Sequence, residues 1–197
     1  MLKDKSCLRV GILGCGPISQ FAHLESAQKA RNVILQAVCD ADESLAQRFG
    51  KFYDAERIYL DYDEMLADPN VDAIIVATSD PFHVPASIKA LAAGKHVLCE
   101  KPIGVSIQEV ENLARQVTAS GLVLQVGHML RFDPGIQASN CHFTRPLMPD
   151  NQKRPPAERT SARLHHLHRP SISEAVAFAA FWDVTLRSEA RPSSVIT

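Results

Sequence analysis

Short apolar runs alternate along the first two thirds of the chain with longer segments in which apolar residues recur at helical spacing. The runs have four to eight residues, which is the ordinary length of buried strands. They predict strands at residues 8–13, 33–40, 57–60, 71–78, 96–99 and 122–126. The intervening segments predict helices at residues 17–30, 41–49, 62–67, 84–93 and 106–120.

Strands that alternate with helices predict an α/β fold with a doubly wound parallel sheet, because parallel neighbours need crossover connections and helices fill them. The strand at residues 71–78 is apolar on both faces apart from Asp72, which is typical of a central parallel strand. Asp61 is placed to cap the third helix. Ser106 and Glu109 have the spacing of a capping box at the start of the fifth.

The chain changes character near residue 137. All nine glycines lie in residues 11–135, whereas residues 138–197 have none and hold six of the twelve prolines. Proline removes backbone donors from helices and sheets alike. We therefore predict a Rossmann domain over residues 1–137 and an atypical, irregular tail over residues 138–197, poorly ordered at residues 140–170.

Composition excludes several classes of function. A net charge of −1 argues against nucleic-acid contact through bulk charge, and the longest wholly apolar stretch, residues 175–182, is too short to span a membrane. Five cysteines without a C-x-x-C motif predict reduced thiols and a cytoplasmic protein. No metal site is predicted, because His165, His166 and His168 lack a carboxylate or thiolate at ligand spacing.

A glycine-rich segment, Gly14-Cys-Gly-Pro-Ile-Ser19, lies between the first predicted strand and the first predicted helix. In this setting Gly14 permits a tight turn, Gly16 lets a pyrophosphate approach the backbone, and the small Ser19 lets helix and strand pack closely. Pro17 and Ile18 lie at the helix start, where free main-chain N–H groups attract phosphate. The segment is therefore predicted to hold the pyrophosphate of a dinucleotide.

An acidic residue, Asp40, ends the second predicted strand. A carboxylate at this position accepts hydrogen bonds from the ribose diol of NAD and repels the 2′-phosphate of NADP. Asp42 adds like charge and no arginine is adjacent, so NAD is the predicted cofactor and NADP the less favoured one. The alternative interpretation is a plain glycine turn in which Asp40 only caps the next helix.

Polar residues also follow the fourth and fifth predicted strands. Thr78 ends the fourth strand, and His83 lies in the connection after it; both could contact the nicotinamide ribose. Glu100 and Lys101 follow the fifth strand, and a lysine there can hydrogen-bond or protonate a substrate oxygen. Each also has a structural interpretation, since His83 could be a polar residue at a helix start and Glu100 with Lys101 a solvated ion pair.

Four segments carry a family resemblance: residues 9–16, residues 61–78, Gly94-Lys-His-Val-Leu-Cys-Glu-Lys-Pro102 and residues 127–134. In order and spacing they are similar to the N-terminal half of the Gfo/Idh/MocA oxidoreductases. The resemblance covers 137 of the 197 residues. Its most specific element is the Glu-Lys-Pro that follows Gly-Lys-His-Val-Leu.

This resemblance implies that Glu100 and Lys101 line the nicotinamide site, that Lys101 assists catalysis, and that His83 lies near the cofactor. It also implies a second α/β domain with the substrate pocket, much of the oligomer interface, and an Asp and a His that work with the lysine. None of these features is recognisable after residue 137.

Three hypotheses about function follow. The first is an NAD-dependent dehydrogenase that acts on a secondary alcohol of a sugar or cyclitol, truncated or frame-changed and weakly active. The second is a non-catalytic NAD-binding module or regulatory relative. The third is a damaged gene product in which a reading-frame change near Ala138 replaces the second domain. In each case the 197-residue chain is expected to bind NAD with little dehydrogenase turnover.

Overall fold

The computed structural model describes residues 7–133 and 195–196. Its strands are β1 (Leu8–Leu13), β2 (Val33–Cys39), β3 (Arg57–Tyr59), β4 (Ala73–Val76), β5 (His96–Cys99), β6 (Leu124–Val126) and β7 (Val195–Ile196). They form one parallel sheet in the order β3-β2-β1-β4-β5-β6-β7. The α/β fold and the parallel sheet are confirmed, with all six predicted strands in place.

The helices occupy the connections between the strands. They are α1 (Leu24–Lys29), α2 (Glu43–Phe52), α3 (Tyr62–Ala67), α4 (His83–Ala92) and α5 (Ile107–Ser120). Short 3₁₀ turns cover Asp80–Phe82 and Met129–Phe132. Each predicted helix is therefore present in the described part of the chain, although α1, α2 and α5 begin later than predicted.

Two apolar layers cover the two faces of the sheet. Ile75 of β4 packs in the layer that includes Leu24 of α1, whereas its neighbour Ile74 packs in the layer that includes Leu113 of α5. Successive residues of a strand point to opposite faces, and both isoleucines are fully buried. This double burial explains why the strand is apolar throughout.

The first helix departs from the predicted continuous helix over residues 17–30. Ser19–His23 form a π-helical turn that runs into α1, and the N–H of Leu24 donates to the carbonyl of Ser19. A π turn contains one residue more than an α turn, and such turns are frequent at functional sites. The apolar period does not reveal an extra residue of this kind, so the prediction missed it.

The helix caps give mixed results. The carboxylate of Asp61 accepts from the N–H groups of Asp63 and Glu64 at 2.6 and 3.3 Å, which confirms its predicted role as a cap of α3. The capping box at Ser106 is wrong. Ser106 does precede α5, but its hydroxyl donates to the side chain of Gln108 at 3.0 Å instead of accepting from the helix backbone.

The predicted boundary at residue 137, most of the tail and the three clustered histidines lie outside the described residues. Of the elements in the described residues, β7 alone belongs to the tail; it pairs with β6 through Leu124 with Val195 and Gln125 with Ile196. This strand was not predicted, because two residues are too few to show a period.

Within residues 7–133 and 195–196, no helix combines the length and the apolar character needed to cross a membrane. In that part of the chain no three His, Cys, Asp or Glu side chains are grouped to hold a metal ion. Cys15, Cys39 and Cys99 are buried free thiols. Burial raises the pKa of each to about 12, with nearby carboxylates contributing further, so these thiols are unreactive near neutral pH.

Candidate functional site

The candidate site lies at the carboxyl edge of the sheet, where β1 and β4 are neighbours. The chain leaves β1 toward β2 on one side and returns to β4 on the other, so the strand order reverses between them. Ligands of open α/β sheets bind in the crevice that such a reversal creates. The glycine-rich segment follows β1, Asp40 follows β2, Thr78 follows β4 and Glu100 follows β5.

The glycine turn after β1 has no room for a side chain at Gly14. Gly14 has a φ of +95°, and a Cβ on it would stand 2.7 Å from the carbonyl oxygen of Ala77, so only glycine fits. The hydroxyl of Ser19 donates to the carbonyl of Gly14 at 2.5 Å and closes the turn from the helix side. Gly16 differs, since a Cβ on it would meet no atom within 4 Å; open space remains there for a ligand.

Asp40 lies beside this turn. One carboxylate oxygen accepts from the N–H of Cys15 at 2.6 Å, and the other accepts from the N–H of Asp42 at 2.9 Å. The cap of α2 is Asp42, whose side chain accepts from the N–H groups of Ser44 and Leu45. The alternative in which Asp40 only caps the next helix is therefore wrong, and α2 starts after Asp42 for the same reason.

Thr78 follows β4 and presents an unused polar atom. Its hydroxyl oxygen is buried and has no hydrogen-bond partner among the described residues. Buried polar groups are almost always paired in folded proteins, with protein, water or ligand. An unpaired hydroxyl at a ligand-binding edge fits contact with a bound molecule.

His83 lies beneath the edge and not on it. The residue is 1% exposed, with Nδ1 at 2.6 Å from the carbonyl oxygen of Pro102 and Nε2 at 2.9 Å from that of Thr78. Carbonyl oxygens only accept, so the ring donates to one of them when neutral and to both when protonated. His83 is therefore poorly placed for direct contact with a cofactor. Its ring instead links the loops that follow β4 and β5.

Glu100 is a buried carboxylate that pairs with His23. Nε2 of His23 lies 2.9 Å from Oε1 of Glu100, and each residue is 5% exposed. Oε2 of Glu100 accepts from the N–H of Lys101 at 3.0 Å. Burial favours the protonated acid, but the hydrogen bond and charge of His23 and the N–H of Lys101 outweigh it and lower the pKa of Glu100.

His23 is a site residue that the sequence did not reveal. It lies in the π-helical turn, and nothing in its spacing from Glu100, 77 residues away, indicates a contact. The solvated pair of Glu100 and Lys101 is also wrong, since the carboxylate is buried against a histidine. The side chain of Lys101 is exposed, and a cis peptide bond joins Lys101 to Pro102.

These features fit a dinucleotide. A backbone turn limited to glycine, open space at Gly16, a carboxylate after β2 and an unpaired hydroxyl after β4 stand along one edge. Across the sheet the carboxylate after β2, the glycine turn after β1 and the hydroxyl after β4 follow one another. The adenosine ribose, the pyrophosphate and the nicotinamide half of a dinucleotide need such groups in that order. The site is therefore built for a cofactor of this shape.

Comparison with known proteins decides the family. A model for the Gfo/Idh/MocA family, described as an oxidoreductase family with an NAD-binding Rossmann fold, matches residues 8–128, which are more than half of the chain. The chain belongs to the Gfo/Idh/MocA oxidoreductase family. Membership confirms the resemblance and the predicted class of cofactor-binding fold.

Curated relatives are dehydrogenases. Trans-1,2-dihydrobenzene-1,2-diol dehydrogenase of Mus musculus is 36% identical over 132 residues, covering 66% of this chain and 40% of the relative. Myo-inositol 2-dehydrogenase of Thermotoga maritima is 32% identical over 126 residues, covering 64% and 37%. This Gfo/Idh/MocA chain thus spans about two fifths of the length of these relatives.

Solved structures agree on the fold. Scyllo-inositol dehydrogenase of Lactobacillus casei, with bound NAD(H) and scyllo-inositol, superposes with a TM-score of 0.66 at 28% identity and covers 70% of this chain and 41% of its own. A 3-ketoreductase of Actinomadura kijaniata, in complex with TDP-benzene and NADP, gives 0.66 at 26% identity, covering 70% and 43%. Both cofactors therefore occur among similar folds.

Proposed function

We propose that this chain binds NAD in preference to NADP and is the cofactor-binding part of a dehydrogenase for a secondary alcohol of a sugar or cyclitol. The observation that carries the proposal is the carboxylate of Asp40, held by two main-chain N–H groups beside the glycine turn. A fixed carboxylate there accepts hydrogen bonds from a ribose diol and repels a 2′-phosphate.

The proposed contacts run along the sheet edge. The turn from Gly14 to Ile18 would hold the pyrophosphate, with Pro17 in the first turn where no N–H is needed. Asp40 would hold the adenosine ribose. The unpaired hydroxyl of Thr78 would face the nicotinamide half, beside the turn that carries Lys101. His83 would support these loops from below.

In the proposed reaction NAD supplies the hydride acceptor when bound. Lys101 is the proposed catalytic residue, because its side chain is exposed and its neutral amine can accept the proton that the alcohol oxygen releases as the hydride leaves for NAD. Glu100 fixes the main chain at Lys101 through its N–H. Relatives named for a diol and for inositols support an alcohol substrate; free buried thiols support the proposed cytoplasmic location.

A second candidate is a binding module that holds NAD without turnover. The chain spans only about 40% of the diol dehydrogenase relative, and a Rossmann unit can bind a dinucleotide without positioning a substrate. Turnover of inositols or diols that Lys101→Ala abolishes, however slow, would reject the second candidate, since the module binds NAD and reduces none of it.

The cofactor preference can be tested by titrating the protein with NADH and NADPH and following ligand fluorescence. We expect NADH to bind at least about tenfold more tightly, because a buried or fixed charge opposite a phosphate is costly. Asp40→Ala should weaken the binding of NADH and reduce the difference in affinity between NADH and NADPH, since it removes ribose hydrogen bonds and the charge that repels the 2′-phosphate.

Asp42→Ala is the matched control. It removes the same charge two residues away and the cap of α2, so it should lower the Tm and keep the preference for NADH. Equal affinity of the unmodified chain for both cofactors, or an equal effect of the two substitutions, would reject the role of Asp40.

A further inference from the structure

The buried pair of His23 and Glu100 connects two parts of the site that are far apart in the sequence. His23 belongs to the π-helical turn after the glycine-rich segment, and Glu100 begins the turn after β5. Both side chains are 6% exposed. Removing an ionised carboxylate from water is costly unless a partner and hydrogen bonds compensate. The burial of this pair therefore points to a specific role for it.

One carboxylate bridges His23 and the main chain of Lys101. Oε1 of Glu100 faces Nε2 of His23 at 2.9 Å, and Oε2 accepts from the N–H of Lys101 at 3.0 Å. If the carboxylate turned away from either partner, it would lose the other bond or leave a buried charge unpaired. His23 therefore fixes the orientation of the Glu100 carboxylate. This carboxylate in turn holds the main-chain N–H of Lys101 in place.

The surroundings leave little freedom for another arrangement. Gly127, after β6, lies against the same carboxylate, and a Cβ on it would stand 3.2 Å from Oε1. The far end of the turn is held separately, because the carbonyl of Pro102 lies 2.6 Å from Nδ1 of His83. Lys101 thus stands between two anchored residues while its own side chain remains exposed.

We propose that His23 is a positioning residue that acts through Glu100 to fix the main chain at Lys101, and with it the nicotinamide half of the site. The inference rests on the proposed function for its effect on cofactor binding, but not for its effect on the turn itself. His23 touches no reacting atom in this scheme; it sets the direction in which Lys101 leaves the backbone.

The competing explanation is an ordinary structural ion pair. Arg9 and Asp72 provide a comparison in the same sheet, since their side chains meet at 2.6 Å where β1 and β4 begin, at the edge opposite the site. Substituting either pair would lower stability. Only substitution of His23 or Glu100 should also alter the main chain at Lys101 and the binding of the nicotinamide half of the cofactor.

The first experiment measures amide hydrogen exchange in the full chain and needs no cofactor. In His23→Ala the amide of Lys101 should exchange at least about tenfold faster than in the unmodified protein, because its acceptor is no longer held. His23→Gln keeps a side-chain donor and should restore part of the protection. Asp72→Asn should leave the exchange at Lys101 unchanged. Unchanged exchange at Lys101 in His23→Ala would overturn the proposal.

The second experiment compares binding of NADH with binding of ADP-ribose, which lacks the nicotinamide. His23→Ala should weaken NADH about tenfold and ADP-ribose less than about twofold, and His23→Gln should recover part of the loss. Asp72→Asn should change neither affinity. Equal losses for the two ligands in His23→Ala would show a merely structural pair and overturn the proposal.

The outcomes separate this inference from the proposed function. If the unmodified chain bound neither ligand, the proposed function would fail, and the exchange at Lys101 would still decide the role of His23. If it bound both ligands and His23→Ala changed neither the exchange nor the ratio of affinities, the function would stand and the inference would fail.

Discussion

At the scale of single residues, Glu100 shows how a buried carboxylate stays ionised. Burial opposes its charge, yet the hydrogen bond and charge of His23 and the N–H of Lys101 give a pKa below the ordinary value. A carboxyl whose pKa is lower in the folded state stabilises the fold at pH values above its unfolded pKa, and this contribution is lost as the pH falls through the folded one.

This sign gives a prediction for Glu100→Gln. At pH 7 the substitution should lower the free energy of unfolding by about 2 kcal/mol, because charge-assisted hydrogen bonds in a buried site are lost. Urea unfolding from pH 7 to pH 3 should show the difference from the unmodified protein shrinking below the ordinary Glu pKa of about 4.3. A difference that stayed constant with pH would contradict the charged state of Glu100.

Single residues also mark where sequence reasoning succeeds. Gly14 and Asp40 were predictable because a glycine turn and an acid after a second strand each have a local signature. Asp42 looks like a second site acid in the sequence, and only the geometry shows that it caps α2. His23 and the buried place of His83 depend on contacts with residues 77 and 19 positions away, which no local pattern records.

At the scale of elements, α2 approaches the sheet through Gly50. A Cβ on this residue would stand 2.6 Å from Cγ1 of Ile58 in β3 and 2.9 Å from Cγ2 of Val38 in β2. Glycine in a helix normally costs about 1 kcal/mol relative to alanine. Here the close approach of helix and strand reverses that preference.

Gly50→Ala should therefore destabilise the protein by about 1–3 kcal/mol, because overpacking forces the helix away from the sheet. Thermal unfolding should give a lower Tm for Gly50→Ala. Combining it with Ile58→Val should recover part of the loss, because this change removes Cδ1 of Ile58, which would stand 2.7 Å from the added Cβ. A higher Tm for Gly50→Ala would mean that intrinsic helix propensity outweighs the packing.

The elements themselves were mostly predictable. β1 has the predicted bounds and the parallel order follows from the alternation of strands and helices, since few topologies satisfy that pattern. The π-helical turn was not predictable, because one inserted residue leaves the apolar face of α1 intact. The capping box at Ser106 failed because its hydroxyl has a second, nearby partner in Gln108, and sequence spacing does not rank the two.

At the scale of the whole molecule, the chain has the sheet edge that fits a dinucleotide cofactor. It spans about two fifths of the length of the diol dehydrogenase of Mus musculus. Lys101 is the one acid–base group in the proposed reaction. A lysine does not by itself hold an alcohol carbon at the nicotinamide ring, and a misplacement of about 1 Å can cost a hundredfold in rate.

We therefore expect the 197-residue chain to bind NAD while showing little dehydrogenase turnover with inositols, sugars or diols. Binding is measured by titration and turnover by NADH absorbance in the same sample. Robust turnover that Lys101→Ala abolishes would contradict this expectation and show that the chain orients an alcohol unaided.

The π-helical turn bears on how this family member can change in evolution. The link from the glycine-rich segment to Glu100 depends on the number of residues between Gly14 and His23 as much as on their identity. Losing His23 would convert the turn to an α-helical turn, which has one residue fewer, and would leave the apolar face of α1 in place. A single codon lost there would separate the two halves of the site without changing any residue that contacts a ligand.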